Sequence, residues 1–240
     1  MSIMFVGLNS VRSRLIKNLC YHTISMKFSQ PPGHGTKDRT GWKTKSRESI
    51  IERFYSHGVS RYGEFHSGYL NFGLWDPEIK TYLEAAENLI RTMGTLLGLN
   101  SQSRLLDVAC GMGMQDIFLA KTFKPAHIDA LDVTWGHVEH AKRRVLSAGL
   151  ENRIAVHHGT ATKLPFPDES FTQVVCIEGA EFFNTREIFM REAYRVLAPR
   201  GILALADYTL KRTPCTIIEK LVLALCLSLW KIPKENVDTM

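Results

Sequence analysis

No stretch of 18 apolar residues occurs in this 240-residue chain, and the longest apolar run, Leu221 to Leu227, is too short to cross a bilayer. The five cysteines, Cys20, Cys110, Cys176, Cys215 and Cys226, contain no Cys-x-x-Cys pair. An odd, dispersed set excludes a disulfide framework and a zinc site, so no metal is expected and the thiols read as reduced, in a cytoplasmic setting. A Gly-Lys-Ser/Thr phosphate grip is also missing, which argues against a nucleoside triphosphate. Apolar residues are not scarce. At 45% hydrophobic and 22% charged, the composition excludes wholesale disorder, and the length allows one real core without disulfides or metals.

Acids are absent from residues 1–25, and the net charge of +6 is unevenly held. Residues 1–61 carry 11 Lys/Arg against 3 Asp/Glu, whereas residues 62–240 carry 19 against 21. A nucleic-acid enzyme usually has a basic stripe beside its active site, so a slightly acidic body argues against a DNA or RNA substrate. In the arm, Phe5, Leu8, Val11, Leu15 and Leu19 recur at helical spacing among Arg12, Arg14 and Lys17. That is the composition of an organelle transit peptide, the alternative to a cytoplasmic location; it also fits an upstream extension ahead of a start at Met26. Residues 29–47, rich in Pro, Gly, Ser, Thr and Lys, read as a linker, which makes 1–47 a basic, flexible extension.

Residues 48–100 read as a helical cap. Ser46 to His57 predicts a short helix with Ile50, Ile51 and Phe54 on one face. Asp76 is the expected cap of a second helix, with Pro77 at its first position, an apolar stripe from Ile79 through Leu89 to Leu97, and Gly98 as its stop. From Arg104 the pattern alternates. Strands are expected at Arg104–Ala109, His127–Val133, Arg153–His158, Phe171–Ile177 and Gly201–Asp207, with helices at Gln115–Thr122, His137–Ala148 and Arg186–Leu197. Such alternation means an α/β fold, a doubly wound parallel sheet over residues 101–210 with helices on both faces. Its ligand belongs beyond the carboxyl ends of the strands, where the strand order reverses.

Gly111 and Gly113 fall in the turn after the first of these strands, where glycine lets a backbone approach a ligand closely. Asp132 ends the second strand, where a carboxylate accepts from two ribose hydroxyls; a helix N-cap is its structural alternative. The NAD fingerprint Gly-x-Gly-x-x-Gly fails, because Ile117 or Phe118 stands where the third glycine is needed. Asp107, at the first strand's end, would repel a pyrophosphate and suits a cationic ligand with an amino-acid end.

Leu105–Gly113 resembles the first motif of the class I S-adenosylmethionine-dependent methyltransferases, Leu-Asp-x-Gly-Cys-Gly-x-Gly, with Ala109 replacing the first glycine. Ala130–Thr134 resembles the family's ribose-binding segment, Gly159–Phe171 its Gly-Asp-Ala-x-x-Leu-Pro-Phe-x-Asp-x-Ser-Phe loop, and Arg195–Gly201 its Arg-Val-Leu-x-Pro-Gly-Gly. Tyr69–Trp75 is similar to a segment of the small-molecule group, which includes tocopherol, sterol and sugar O-methyltransferases. The resemblance implies a Rossmann-like sheet, S-adenosylmethionine as cofactor, and O- or C-methylation of a small-molecule acceptor. It implies a cofactor site of Asp107, Ala109, Gly111, Gly113, Asp132, Val133, Thr160, Ala161 and Glu178. Thr160 stands where the family has the acid that accepts from the adenine amino group, Arg200 replaces a turn glycine, and Phe182 replaces a histidine near the acceptor. Glu181 or His57 is the expected general base, and Tyr55, Tyr62 and Trp75 are expected to line a lid.

The family sheet has seven strands in the order 3-2-1-4-5-7-6, and only five are visible here. The last two are expected to be missing, with residues 211–240 forming the start of a lid helix. An unpaired flank on the fifth strand would then favour self-association. A non-catalytic, truncated binding protein is therefore the alternative to an active enzyme.

Overall fold

Strands and helices alternate in the computed structural model, which describes residues 2–8, 21–24, 46–56, 66–208, 214 and 216–236. The strands are β1 (Ser2–Leu8), β2 (Tyr21–Ile24), β3 (Arg104–Val108), β4 (His127–Asp132), β5 (Ile154–His158), β6 (Phe171–Ile177) and β7 (Leu197–Tyr208). The helices are α1 (Arg47–Phe54), α2 (Tyr82–Leu96), α3 (Met114–Thr122), α4 (Trp135–Ser147), α5 (Arg186–Val196) and α6 (Ile217–Trp230). One sheet runs in the order β2-β1-β7-β6-β3-β4-β5, and every pairing is parallel except β1 with β2.

The five strands expected from Arg104 onward form the continuous parallel run β7-β6-β3-β4-β5 of this Rossmann-like sheet, and no strand follows β7 among the described residues. The expected bare flank is corrected. β1 runs beside β7, from Ser2 opposite Ile202 to Leu8 opposite Tyr208, and β2 pairs outside it. Two strands thus stand where helical spacing predicts an amphipathic, flexible arm. An open strand edge offers a row of backbone donors and acceptors, and Ile3-Met4-Phe5-Val6 is a run that favours extended chain.

Side chains alternate between the two faces of the sheet. Leu105, Ile128, Ala130, Val175 and Ala204 pack on one side, against Ala86, Leu89, Ile90 and Met93 of α2. Leu106, Leu131, Val174, Cys176 and Leu203 pack on the other, against Phe189, Ala193 and Val196 of α5. Each leucine so buried stabilises the fold by about 1.5–3 kcal/mol.

Helix α2 starts later than Asp76 suggests. Asp76 Oδ1 instead accepts from the N–H groups of Glu78 and Ile79, at 2.9 and 3.2 Å, which makes a local turn. Thr81 and Glu84 then form a reciprocal capping box, which satisfies two orphan donors and wins the N-terminus. Helix α6 has a similar box at Thr216 and Glu219, yet none of its residues is buried. No helix among the described residues is long and apolar enough to cross a membrane.

Candidate active site

The strand order reverses between β3 and β6, and a cavity opens beyond their carboxyl ends. It holds about 920 Å³ of empty space including its open mouth. The turns after β3, β4, β5 and β6 form one wall, and α1 with Gly68–Asn71 forms the other.

Asp132 organises the wall. Its Oδ2 accepts from Gly111 N–H at 2.9 Å and its Oδ1 from Thr134 N–H at 2.8 Å. His137 Nδ1, itself buried, lies 3.3 Å from Oδ1. The carboxylate is therefore fixed in place, with lone pairs left to accept from a ligand. Glycine 113 serves packing: its φ is +79°, and a Cβ there would lie 2.8 Å from Ala141 Cβ on α4. At the switch point, Gly179 has no room for a side chain, because a Cβ would lie 2.5 Å from Ala109 Cβ.

Of the expected cofactor residues, Ala109, Gly111, Asp132, Val133, Thr160, Ala161 and Glu178 line the cavity. Asp107 and Gly113 do not. Asp107 is wholly buried behind the turn, where Gln115 Nε2 donates to its Oδ2 at 2.6 Å. Burial pushes its carboxyl up to about 6, and burial with Asp107 as neighbour pushes Asp116 well above the carboxylate range. Two buried carboxyls side by side hold a proton between them.

The expected base Glu181 is buried and stands off the cavity wall, and burial and neighbouring Asp207 raise its carboxyl well above its ordinary value. Asp207 is paired with Arg186 at 2.7 Å. His57 and Tyr62 lie outside the described residues. Trp75 is 41% exposed and off the wall, its Nε1 donating to Phe72 O at 2.9 Å. Tyr55 does line the cavity, with ring centroids 5.3 Å from His137 and 5.6 Å from Phe182. Burial, then Glu181, Asp132 and Glu178, push its hydroxyl well above the usual phenol value, so it is a neutral donor.

Several wall residues escape sequence reasoning. Asn71 is buried, and its amide nitrogen and oxygen find no partner among the described residues. Phe72 N–H donates to Glu178 Oε2 at 2.8 Å, which draws this segment onto β6. Arg195 holds the loop after β5 by donating to Leu164 O, Phe166 O and Asp168 Oδ1 at 2.8–2.9 Å. The signal for Asn71 is its place within Tyr69–Trp75; nothing local marks His137 or Glu48.

A family model described as a methyltransferase domain matches residues 106–205. The chain is similar to O-methyltransferase rstn1 of Aspergillus nomiae, 31% identical over 65% of this chain and 70% of that protein. The chain belongs to the class I S-adenosylmethionine-dependent methyltransferases. It is also 36% identical to erythromycin 3''-O-methyltransferase of Saccharopolyspora erythraea over 58% of its own length, and spans 45% of that relative. The crystal structure of the [4+2]-cyclase SpnF shares the fold, with a TM-score of 0.65 at 24% identity over 73% of this chain and 64% of that one.

Two departures from the methyltransferase motifs fall at the same backbone geometry. Ala109 and Arg200, which replace motif glycines, both have φ of +67°. The left-handed turns have been kept and non-glycine residues bear them. The orphaned Asn71 amide inside the cavity fits a ligand that carries both donors and acceptors, as S-adenosylmethionine does. Among the described residues, no cluster of His, Cys, Asp and Glu could hold a metal ion.

Proposed function

We propose that the chain binds S-adenosylmethionine across the switch-point cavity and transfers its methyl group to a small-molecule acceptor. The observation that carries this reading is Asp132, pinned to Gly111 N–H at the end of β4 with an orphaned Asn71 amide in the same cavity. A carboxylate so placed accepts from two ribose hydroxyls. Val133, Thr160 and Ala161 then flank the base, and Glu178 with Asn71 meets the amino-acid end.

The bound cofactor supplies an electrophilic methyl group on a sulfonium centre. The protein's part is alignment and exclusion of water, which supply much of the acceleration of such a transfer. Tyr55 and Phe182 pack edge to face across the mouth, and Arg47 Nε donates to Phe182 O at 3.4 Å, which ties α1 to the loop after β6. Glu181 stands off the cavity wall, so the acceptors that fit are those that ionise readily, such as phenols, enols and carboxylic acids. The relatives named above are O-methyltransferases, which favours oxygen over carbon.

Calorimetry with S-adenosylhomocysteine tests the cofactor reading. Asp132→Ala is expected to weaken binding by about 1.5–3 kcal/mol, the scale of charged hydrogen bonds. Unchanged binding removes Asp132 from the site. A second reading, binding without turnover, is favoured by the apolar Phe182 ring on the wall and the withdrawal of Glu181. Tight binding without methylated product from any of the three acceptor classes would support it.

The cytoplasm suits the buried free thiols Cys110 and Cys176. Self-association no longer has the flank of β7 to draw on, since β1 covers it, and rests on the exposed face of α6.

A further inference from the structure

The sheet order β3-β4-β5 sets three loops in a row along the cavity: the glycine turn, Asp132 and residues 159–162. If the ribose sits on Asp132, as proposed above, the base extends away from the glycine turn toward the third loop. That loop presents hydroxyls and no carboxylate. A carboxylate reaches it from the opposite wall. Glu48, Ile51 and Tyr55 of α1 and its final turn lie three and four residues apart on one helical face, and all three line the cavity. Thr160 Oγ1 donates to Glu48 Oε1 at 3.5 Å and Thr162 Oγ1 donates to the same atom at 3.4 Å, while the two hydroxyls lie 3.0 Å apart.

We propose that Glu48 is the carboxylate that recognises the exocyclic amino group of adenine, a specificity-determining residue supplied by α1 in place of the acid that position 160 lacks. This rests on the S-adenosylmethionine reading of the site. An aromatic amine is a pure donor at this edge, and an ionised acceptor binds it about twice as strongly as a neutral one. The two threonine hydroxyls share their protons between Glu48 and each other, which holds the carboxylate beside the base. Adenine recognition and the seating of α1 are then one event. A purine with a 6-oxo group sets an oxygen against the carboxylate and is rejected.

The assignment predicts a reversal. Thr160→Asp restores the acid of the related sequences, yet beside Glu48 it sets two carboxylates in contact, which disfavours having both ionised. Calorimetry with S-adenosylhomocysteine and with its 6-oxo analogue, S-inosylhomocysteine, reads this directly. The wild type should bind the adenosyl compound and discriminate against the inosyl one by about thirtyfold or more. Glu48→Gln should lose about tenfold in adenosyl affinity and most of the discrimination, with its thermal melting point unchanged. Thr160→Asp should weaken adenosyl binding in the wild type and strengthen it in the Glu48→Gln background, an interaction that additive sites do not give. Glu48→Asp, which retracts the carboxylate, should fall between wild type and Glu48→Gln. Equal affinity and discrimination in wild type and Glu48→Gln would overturn the assignment, as would a Thr160→Asp effect of one sign in both backgrounds. Failure of the wild type to bind S-adenosylhomocysteine at all would bring down the methyl-donor reading, and this assignment with it.

Discussion

The parallel sheet and helix α6 are both rich in leucine, yet they use it in opposite ways. Leu106 and Leu203 are fully buried, whereas Leu225 is 60% and Ile217 77% exposed. Strand alternation gives each apolar residue a facing helix, and the sheet is closed on both sides. Helix α6 is apolar around much of its circumference and caps itself well, but none of its residues is buried, and its contacts with the described fold include Trp230 against Phe54 and Phe72. Apolar composition announces a wish for burial; only a complementary surface grants it.

The contrast breaks most sharply at the sheet. Leu106→Ala is expected to lower the unfolding free energy by about 2–5 kcal/mol in chemical denaturation, since a closed core leaves a cavity behind. A loss under about 1 kcal/mol would mean that the two faces are looser than their burial indicates. The acids behind the glycine turn give the next effect. Asp107 and Asp116 both bind protons more tightly folded than unfolded, so the unfolded chain loses its protons first as pH rises. Their contribution to stability is present below about pH 4 and is lost as pH rises toward about 6 for Asp107, at up to about 1.4 kcal/mol per pH unit for each proton. Asp116→Asn should flatten that part of the profile in denaturation between acid and neutral pH; an unaltered slope would separate the two carboxyls.

Smaller effects sharpen the comparison. Arg200→Gly relieves a left-handed turn on an exposed residue and should raise stability by about 0.5–1 kcal/mol, seen as a melting temperature higher by a few degrees. Leu225→Gln should change stability by less than about 0.5 kcal/mol, because nothing is buried against it. A large loss there would reveal a partner surface for α6.

Much of the central sheet was legible because five runs of branched residues, each followed by a turn or a helix, carry their own period. Gly111, Asp132 and Thr160 were legible for the same reason: a site at strand ends is indexed by its strands. What local pattern cannot carry is competition between neighbours and contact at long range. Thr81 overrules Asp76 as a cap only through its reciprocal partner Glu84. The pairing of β1 with β7 joins residues two hundred positions apart, and helical spacing in the arm points elsewhere. Glu48 meets Thr160 across 112 positions, and the burial of Glu181 beside Asp207 depends on how the turn after β6 packs on β7.

The contact between Ala109 and Gly179 couples two positions 70 residues apart. Two backbones cross the switch point with space for a single methyl group between them, 2.5 Å separating Ala109 Cβ from the place a second would take. Positions 109 and 179 therefore form a lock with one key. In this chain an alanine at 109 leaves 179 room for a glycine alone. Ala109→Gly should accordingly rescue Gly179→Ala, read as a recovered melting temperature.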